Sequence, residues 1–184
     1  MEKELNIDCI IAIDAGANGG ISVYSEGQVT SVKMPREVAK VAEYIKYWQS
    51  IRRPIVFIEK LSVRPDDTSV GDDGNVNMGK LYRIQKMIAN FEGLKAAIQF
   101  CGVPYVLVHP MKWQSGLKLR IKGEEKSERK NRYKQVASTL YPKQKVALWN
   151  ADALLIMHFA RVVLKNDLPW VLAQLPANEK DKLF

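Results

Sequence analysis

Two cysteines and two histidines in 184 residues leave little material for a disulfide framework or a zinc site. Cys9 and Cys101 each sit in an apolar run, one strand-like and one closing a helix-like stretch, and read as buried reduced thiols. His109, before Pro110, reads as a loop residue and His158 as a core or interface residue, neither with a partner at metal-site spacing. No apolar run approaches the roughly 18 residues of a membrane span, so no membrane partner is expected. The opening MEKELNID is too acidic and polar for a secretory leader or transit peptide, which points to an intracellular, cytoplasmic protein. Repeats and low-complexity segments are absent too. What remains, 47% hydrophobic and 26% charged residues, matches an ordinary globular domain. We place that domain over residues 1–165, with 166–184 as a C-terminal tail carrying no readable pattern.

The net charge of +8 is unevenly spread. Between Met111 and Lys134 stand Lys112, Lys118, Arg120, Lys122, Lys126, Arg129, Lys130, Arg132 and Lys134 against Glu124, Glu125 and Glu128. Basic clusters gain affinity for phosphates by releasing counterions. A solvated helix face would also explain the run, but Trp113 and Tyr133 within it favour a nucleic-acid surface.

Element patterns follow the chain in a definite order. CIIAID, GISVYS and QVTSVKM alternate with the turn-formers AGANGG and EG, predicting a three-stranded meander. Arg36 to Ile51 is predicted helical through Val38, Val41, Ile45 and Trp48, and Pro54 restarts the chain into the strand IVFIE. The polar stretch Ser62–Asn77 predicts a loop, and its aspartates lack calcium-loop spacing. From Met78, apolar residues at Leu81, Ile84, Ile88, Phe91, Leu94 and Ile98 predict one long helix packed on a sheet. The strand VPYVLV follows, then a basic loop turning helical towards Leu140, and a last helix over about Asn150–Leu164 with Asn150 as its cap. That order fits an α/β fold, a mixed five-stranded sheet flanked by helices; the ribonuclease H-like fold has it.

Three acidic residues are the chemical candidates. Asp14 ends the first strand before a glycine-rich turn, Glu59 ends the strand IVFIE, and Asp152 falls in the first turn of the last helix. Each has an ordinary explanation: a turn aspartate, a glutamate leaving the core, a carboxylate on a helix dipole. Together, two central strand ends and a helix start can bring carboxylates to one point. Metal-assisted phosphodiester cleavage needs such a group, because hard oxygen ligands hold Mg²⁺ ions that activate water and stabilise the leaving oxygen.

At these residues the chain resembles the RuvC-like Holliday junction resolvases, in particular their phage-type branch. The likeness rests on IAIDAGANGGISVY, IVFIEKLSVRP, VNMGKLYRIQKMIANFEGLKAAIQFCGVPYVLVHPMKWQ, RKNRYKQVASTLYP and NADALLI, in that order between Ile10 and Arg161. It implies a ribonuclease H-like fold, a homodimer, Mg²⁺ with Mn²⁺ as a substitute, and paired nicks in a four-way DNA junction during recombination, replication or repair. The setting would be a bacterial cytoplasm, or that of the host cell for a phage-encoded chain. It assigns Asp14, Glu59 and Asp152 to the metals and matches Lys130 to a lysine near the scissile phosphate, with Lys134 as second candidate. Lys112, Trp113, Lys118, Arg120, Lys122, Lys126, Arg129, Arg132 and Lys134 become DNA contacts, with Trp113 either stacking on a base or packing its own loop. One departure stands out: family members usually carry a further acidic residue or histidine one helical turn before the final aspartate, where this chain reads Ala147, Leu148, Trp149, Asn150. Asn150 could ligate through its amide oxygen or simply cap its helix.

Two other classes compete. A junction-binding protein with weakened cleavage would keep the basic stretch and tolerate the missing carboxylate. An actin-like ATPase or sugar kinase would use IDAGANGG on phosphate, but needs a second lobe and a second glycine-rich motif that this length does not show.

Overall fold

The computed structural model describes residues 6–62 and 77–184. Strands β1 (Cys9–Ile13), β2 (Gly20–Ser25) and β3 (Gln28–Lys33) form the expected antiparallel meander. Helix α1 (Val38–Ile51) crosses one face of the sheet and returns the chain to β4 (Pro54–Glu59), parallel to β1 with Ile13 opposite Ile58. Helix α2 (Met78–Cys101) ends at Gly102 in the left-handed conformation and leads to β5 (Tyr105–Val108), parallel to β4. The sheet order is β3-β2-β1-β4-β5. Most of the loop expected over Ser62–Asn77 lies outside the described residues; Asn77 caps α2 by accepting the Lys80 N–H at 2.9 Å.

Strand alternation divides the core in two. Ile11, Ile13, Val56 and Ile58 face α1 and α2, where Val41, Ile45, Phe91, Leu94 and Ile98 are buried. Ile10, Ala12, Ile55 and Phe57 face α5 (Leu148–Asn166), whose Ala151, Leu154, Leu155 and Phe159 complete the larger cluster. Two residues on from Ala12 and Phe57, the same alternation sends Asp14 and Glu59 towards the α5 face.

Four expectations need correction. The long helix does not pack on the sheet throughout: Ile88 is 40% exposed and Met78 72%. Its 24 residues span about 36 Å, whereas six-residue strands span about 20 Å, so its first half overhangs. The basic stretch opens as a helix, α3 (Pro110–Gly116), because Pro110 fits a first helical turn and His109 Nδ1 accepts the Met111 N–H at 3.2 Å. Helix α4 (Lys126–Leu140) then carries the rest. Helix α5 starts at Leu148, before Asn150. Lastly, residues 166–184 belong to the same core: α6 (Leu168–Gln174), α7 (Ala177–Lys180) and a 3₁₀ turn (Asp181–Leu183) bury Val171, Leu175 and Leu183. Helices this short show no readable period. The Leu183 carbonyl accepts the Asn6 N–H at 2.6 Å, tying both ends to the domain.

Among the described residues no helix is long and apolar enough to cross a membrane. Cys9 and Cys101 are free and buried, and burial pushes the Cys9 thiol up to about 12.

Candidate active site

The turn after β1 folds around the Asp14 carboxylate. Asp14 Oδ1 accepts the Gly16 N–H at 3.2 Å, the Asp14 N–H donates to the Gly20 carbonyl at 3.0 Å, and the Gly19 N–H donates to the Gly16 carbonyl at 2.8 Å. Gly19 lies so close that a β-carbon there would stand 2.3 Å from the Asp14 carbonyl oxygen and 2.7 Å from its carboxyl carbon. The turn-aspartate role is therefore present, but it uses one oxygen. Next door, Gly20 makes room for Trp149: a β-carbon would come within 2.8 Å of the indole, so α5 seats closely on β2.

Asp152 is the fifth residue of α5, beyond the first turn, so a helix-dipole role no longer accounts for it. It is 7% exposed within a helix whose flanking residues Ala151, Ala153, Leu154 and Leu155 are all buried. A carboxylate there needs a partner. Lys130 on α4 supplies one, with Nζ 2.5 Å from Oδ2. Asp152 Oδ1 is buried and has no hydrogen-bond partner.

Glu59 completes the group. The Trp113 indole N–H donates to its Oε1 at 2.9 Å. Burial, reinforced by the Asp14 charge, pushes the Glu59 carboxyl up to about 7, while the Trp113 hydrogen bond and Lys130 pull the other way. Asp14 is also raised, by burial first and then by Asp152. Lys130 is raised: burial opposes its charge, but Asp152, Asp14 and Glu59 outweigh that. The three carboxylates thus feel one another, with the Lys130 ammonium among them.

Among the described residues, no three acidic, histidine or cysteine side chains already stand together as a preformed cage. The donors nevertheless suit a hard divalent cation: carboxylate oxygens only, and an orphaned oxygen on Asp152. Of the two roles open to Asn150, ligand or helix cap, its hydrogen bonds show the capping one. Its Oδ1 accepts the Ala147 N–H at 2.7 Å and its Nδ2 donates to the Lys145 carbonyl at 3.2 Å. It closes the start of α5 from the helix interior, with Ala147 as the boundary residue.

Asp14 and Glu59 open on a cleft of about 940 Å³, which Asp152 and Lys130 do not line. Asp14, Gly16 and Glu59 form its floor, Met87 and Phe91 of α2 one wall, and Arg120, Lys126 and Arg129 are among the residues lining it. The structure sorts the basic residues accordingly. Lys118, Lys122 and Lys134 are exposed but do not line the cleft. Arg132 is committed within the fold, donating to Glu124 at 2.6 and 2.7 Å and to the Leu119 carbonyl at 2.6 Å. Lys112 points elsewhere, its Nζ 4.8 Å from the Trp170 ring centre. Trp113, expected to stack on a base or pack, packs: it is fully buried with its ring edge-on to Tyr133. Both aromatic residues that coloured the basic stretch are therefore core. Of the histidines, His109 caps α3 and pairs with Ser62 Oγ at 3.1 Å, and His158 pairs with the Tyr141 hydroxyl at 3.2 Å. Lys60, which lines the cleft beside Glu59, carries no motif that would single it out.

No protein-family profile matches this chain, and no curated protein matches it in sequence. Solved structures do match. Thermus thermophilus RuvC in complex with a Holliday junction substrate aligns with a TM-score of 0.53 at 16% identity, over 87% of this chain and 96% of that one. A second Thermus thermophilus RuvC structure gives 0.51 at 15% identity, over 91% and 98%. The chain has the RuvC fold, a ribonuclease H-like mixed sheet flanked by helices.

Proposed function

We propose that this protein is a metal-dependent endonuclease that resolves four-way or similarly branched DNA, acting in recombination, replication or repair. The observation that carries the reading is the trio Asp14, Glu59 and Asp152. These are buried or half-buried carboxylates from three distant segments, electrostatically coupled, and two of them, Asp14 and Glu59, line a cleft with basic residues along it. Similarity to a junction-bound RuvC supports the choice of substrate.

In this mechanism Asp14, Glu59 and Asp152 would hold Mg²⁺, or Mn²⁺ in its place. When bound, such ions supply a Lewis acid for the phosphate oxygens and an acidified water. Trp113 keeps one Glu59 oxygen fixed and leaves the other for the site. Lys130 neutralises Asp152 before substrate arrives and, freed from it, offers its ammonium to charge growing on the scissile phosphate. Arg120, Lys126 and Arg129 bind the phosphates that lead into the cleft. A two-fold dimer would set two such clefts on opposing strands, and the overhanging half of α2, with Met78, Tyr82 and Ile88 exposed, offers apolar surface for it.

The test is a labelled four-way junction beside a linear duplex of the same sequence, with Mg²⁺, Mn²⁺ or chelator. Metal-dependent nicks near the branch point are expected, abolished by Asp14→Asn, Glu59→Gln or Asp152→Asn with junction binding retained. Full cleavage by purified Asp14→Asn would refute the assignment. A junction binder with weakened cleavage is the second reading, favoured by the commitment of Asn150 to backbone and by the absent fourth carboxylate. Binding without a nick at any metal concentration would select it.

A further inference from the structure

A second cavity, of about 400 Å³, lies beside the catalytic cleft. Lys60 and His109 line both, so the two spaces meet at the ends of β4 and β5. Beyond that junction the second cavity is lined by Tyr105, Lys112, Trp170 and Gln174, among others, and by no carboxylate among the described residues. Its chemistry is that of a nucleotide site: ammonium groups for a phosphate, an aromatic ring for a base, and an amide for a base edge.

Two further observations bear on the ring. Trp170 is half-buried and held edge-on to Phe159, centroids 5.7 Å apart, so its orientation is set by the core. Lys112 Nζ lies 4.8 Å from the ring centre, a cation–π contact that keeps the amine beside the ring. A base could replace the ammonium on the ring while the displaced amine turned to the adjoining phosphate. The α6 segment, part of the C-terminal stretch that folds into the core, thereby gains a use that packing alone does not explain.

We propose that this cavity receives an unpaired nucleotide of the DNA strand passing out of the catalytic cleft, stacked on Trp170 with its phosphate on Lys112 and Lys60. The inference rests on the nuclease reading above and deepens it: the site would favour branched substrates whose strands open near the branch point.

The experiment uses the full chain carrying Asp152→Asn, so that substrate survives, and a four-way junction with 2-aminopurine placed in turn at each nucleotide flanking the branch. Stacking on Trp170 is expected to quench one position several-fold, and Trp170→Leu, which keeps an apolar side chain against Phe159, to remove that quench. Lys112→Gln and Lys60→Gln, on more exposed positions, are expected to weaken the junction about tenfold beyond their effect on linear duplex. Wild-type-like quenching in Trp170→Leu, or equal losses on junction and duplex in both lysine variants, would overturn the site while leaving the nuclease reading intact. Failure of the Asp152→Asn chain to bind any branched DNA would overturn both.

Discussion

Gly19→Ala puts a number on how closely the turn after β1 is built around Asp14. The added carbon would lie 2.3 Å from the Asp14 carbonyl oxygen and 2.9 Å from Oδ2. Ordinary contact begins near 3.4 Å, so backbone and carboxylate must separate by roughly 1 Å. Little can yield: the Gly19 N–H is bonded to Gly16, its carbonyl accepts the Met34 N–H at 3.1 Å, and Asp14 is bonded to Gly20. Forced overpacking of this kind costs about 1–3 kcal/mol, and a 1 Å displacement of a group at the reaction centre costs about a hundredfold in rate. Gly16→Ala is the control, because its β-carbon would stand 3.4 Å from Asp14 Oδ1, an ordinary distance. Urea unfolding and junction nicking of both variants form the assay. Gly19→Ala should lose stability and nearly all nicking, with Gly16→Ala close to wild type. Equal behaviour of the two, or nicking by Gly19→Ala within a few-fold of wild type, would refute the idea that this turn sets the carboxylate.

Other outcomes follow from the charges. Because burial lifts Glu59 from an ordinary 4.5 to about 7, its neutral form suits the fold and its ionised form does not. The stability it contributes is present below pH 4.5 and is lost as pH rises through about 7, some 3 kcal/mol at about 1.4 kcal/mol per pH unit. Denaturation in chelator should show this decline, and Glu59→Gln should flatten it. Saturating Mg²⁺ at pH 8 should restore about 2–3 kcal/mol at a hundred times its dissociation constant, with no such gain in Asp152→Asn. Lys130→Met removes the partner of Asp152. Discounted for the one-third exposure of the lysine, it should cost about 1–2 kcal/mol in chelator and less in Mg²⁺, as read by thermal melts. Trp113→Phe keeps most of the buried ring but frees Glu59 Oε1, so metal affinity measured by calorimetry should fall about tenfold or more.

The sheet was readable because its evidence is local. Alternating apolar strands, glycine turns and the Pro54 restart carry β1 to β4, and the strand ends then name Asp14 and Glu59. Asp152 was readable only through succession in the chain, since its burial depends on α5 packing across β1 and β2. Aromatic residues misled for a related reason. Trp113 and Tyr133 sit among lysines in the chain, but helical spacing turns the rings inward and most of the lysines outward, which linear composition does not register. Asn150 was read as a cap at the wrong position, because an asparagine closing a helix from its third residue looks in sequence like one standing before it. The C-terminal helices are shorter than any window that reveals a period, and their burial comes wholly from tertiary contact.

The parallel register that sets Ile13 beside Ile58 also governs when the site comes into being. Asp14 and Glu59 meet only after α1 has crossed the sheet, and Asp152 joins them only when α5 docks. These are long sequence separations, closed late and at an entropic cost that slows folding. During synthesis the chain therefore exposes its basic helix α4 before the three acids can gather. Until α5 is made and packed, α4 presents its basic residues to solvent while the group we assign to metal binding cannot assemble.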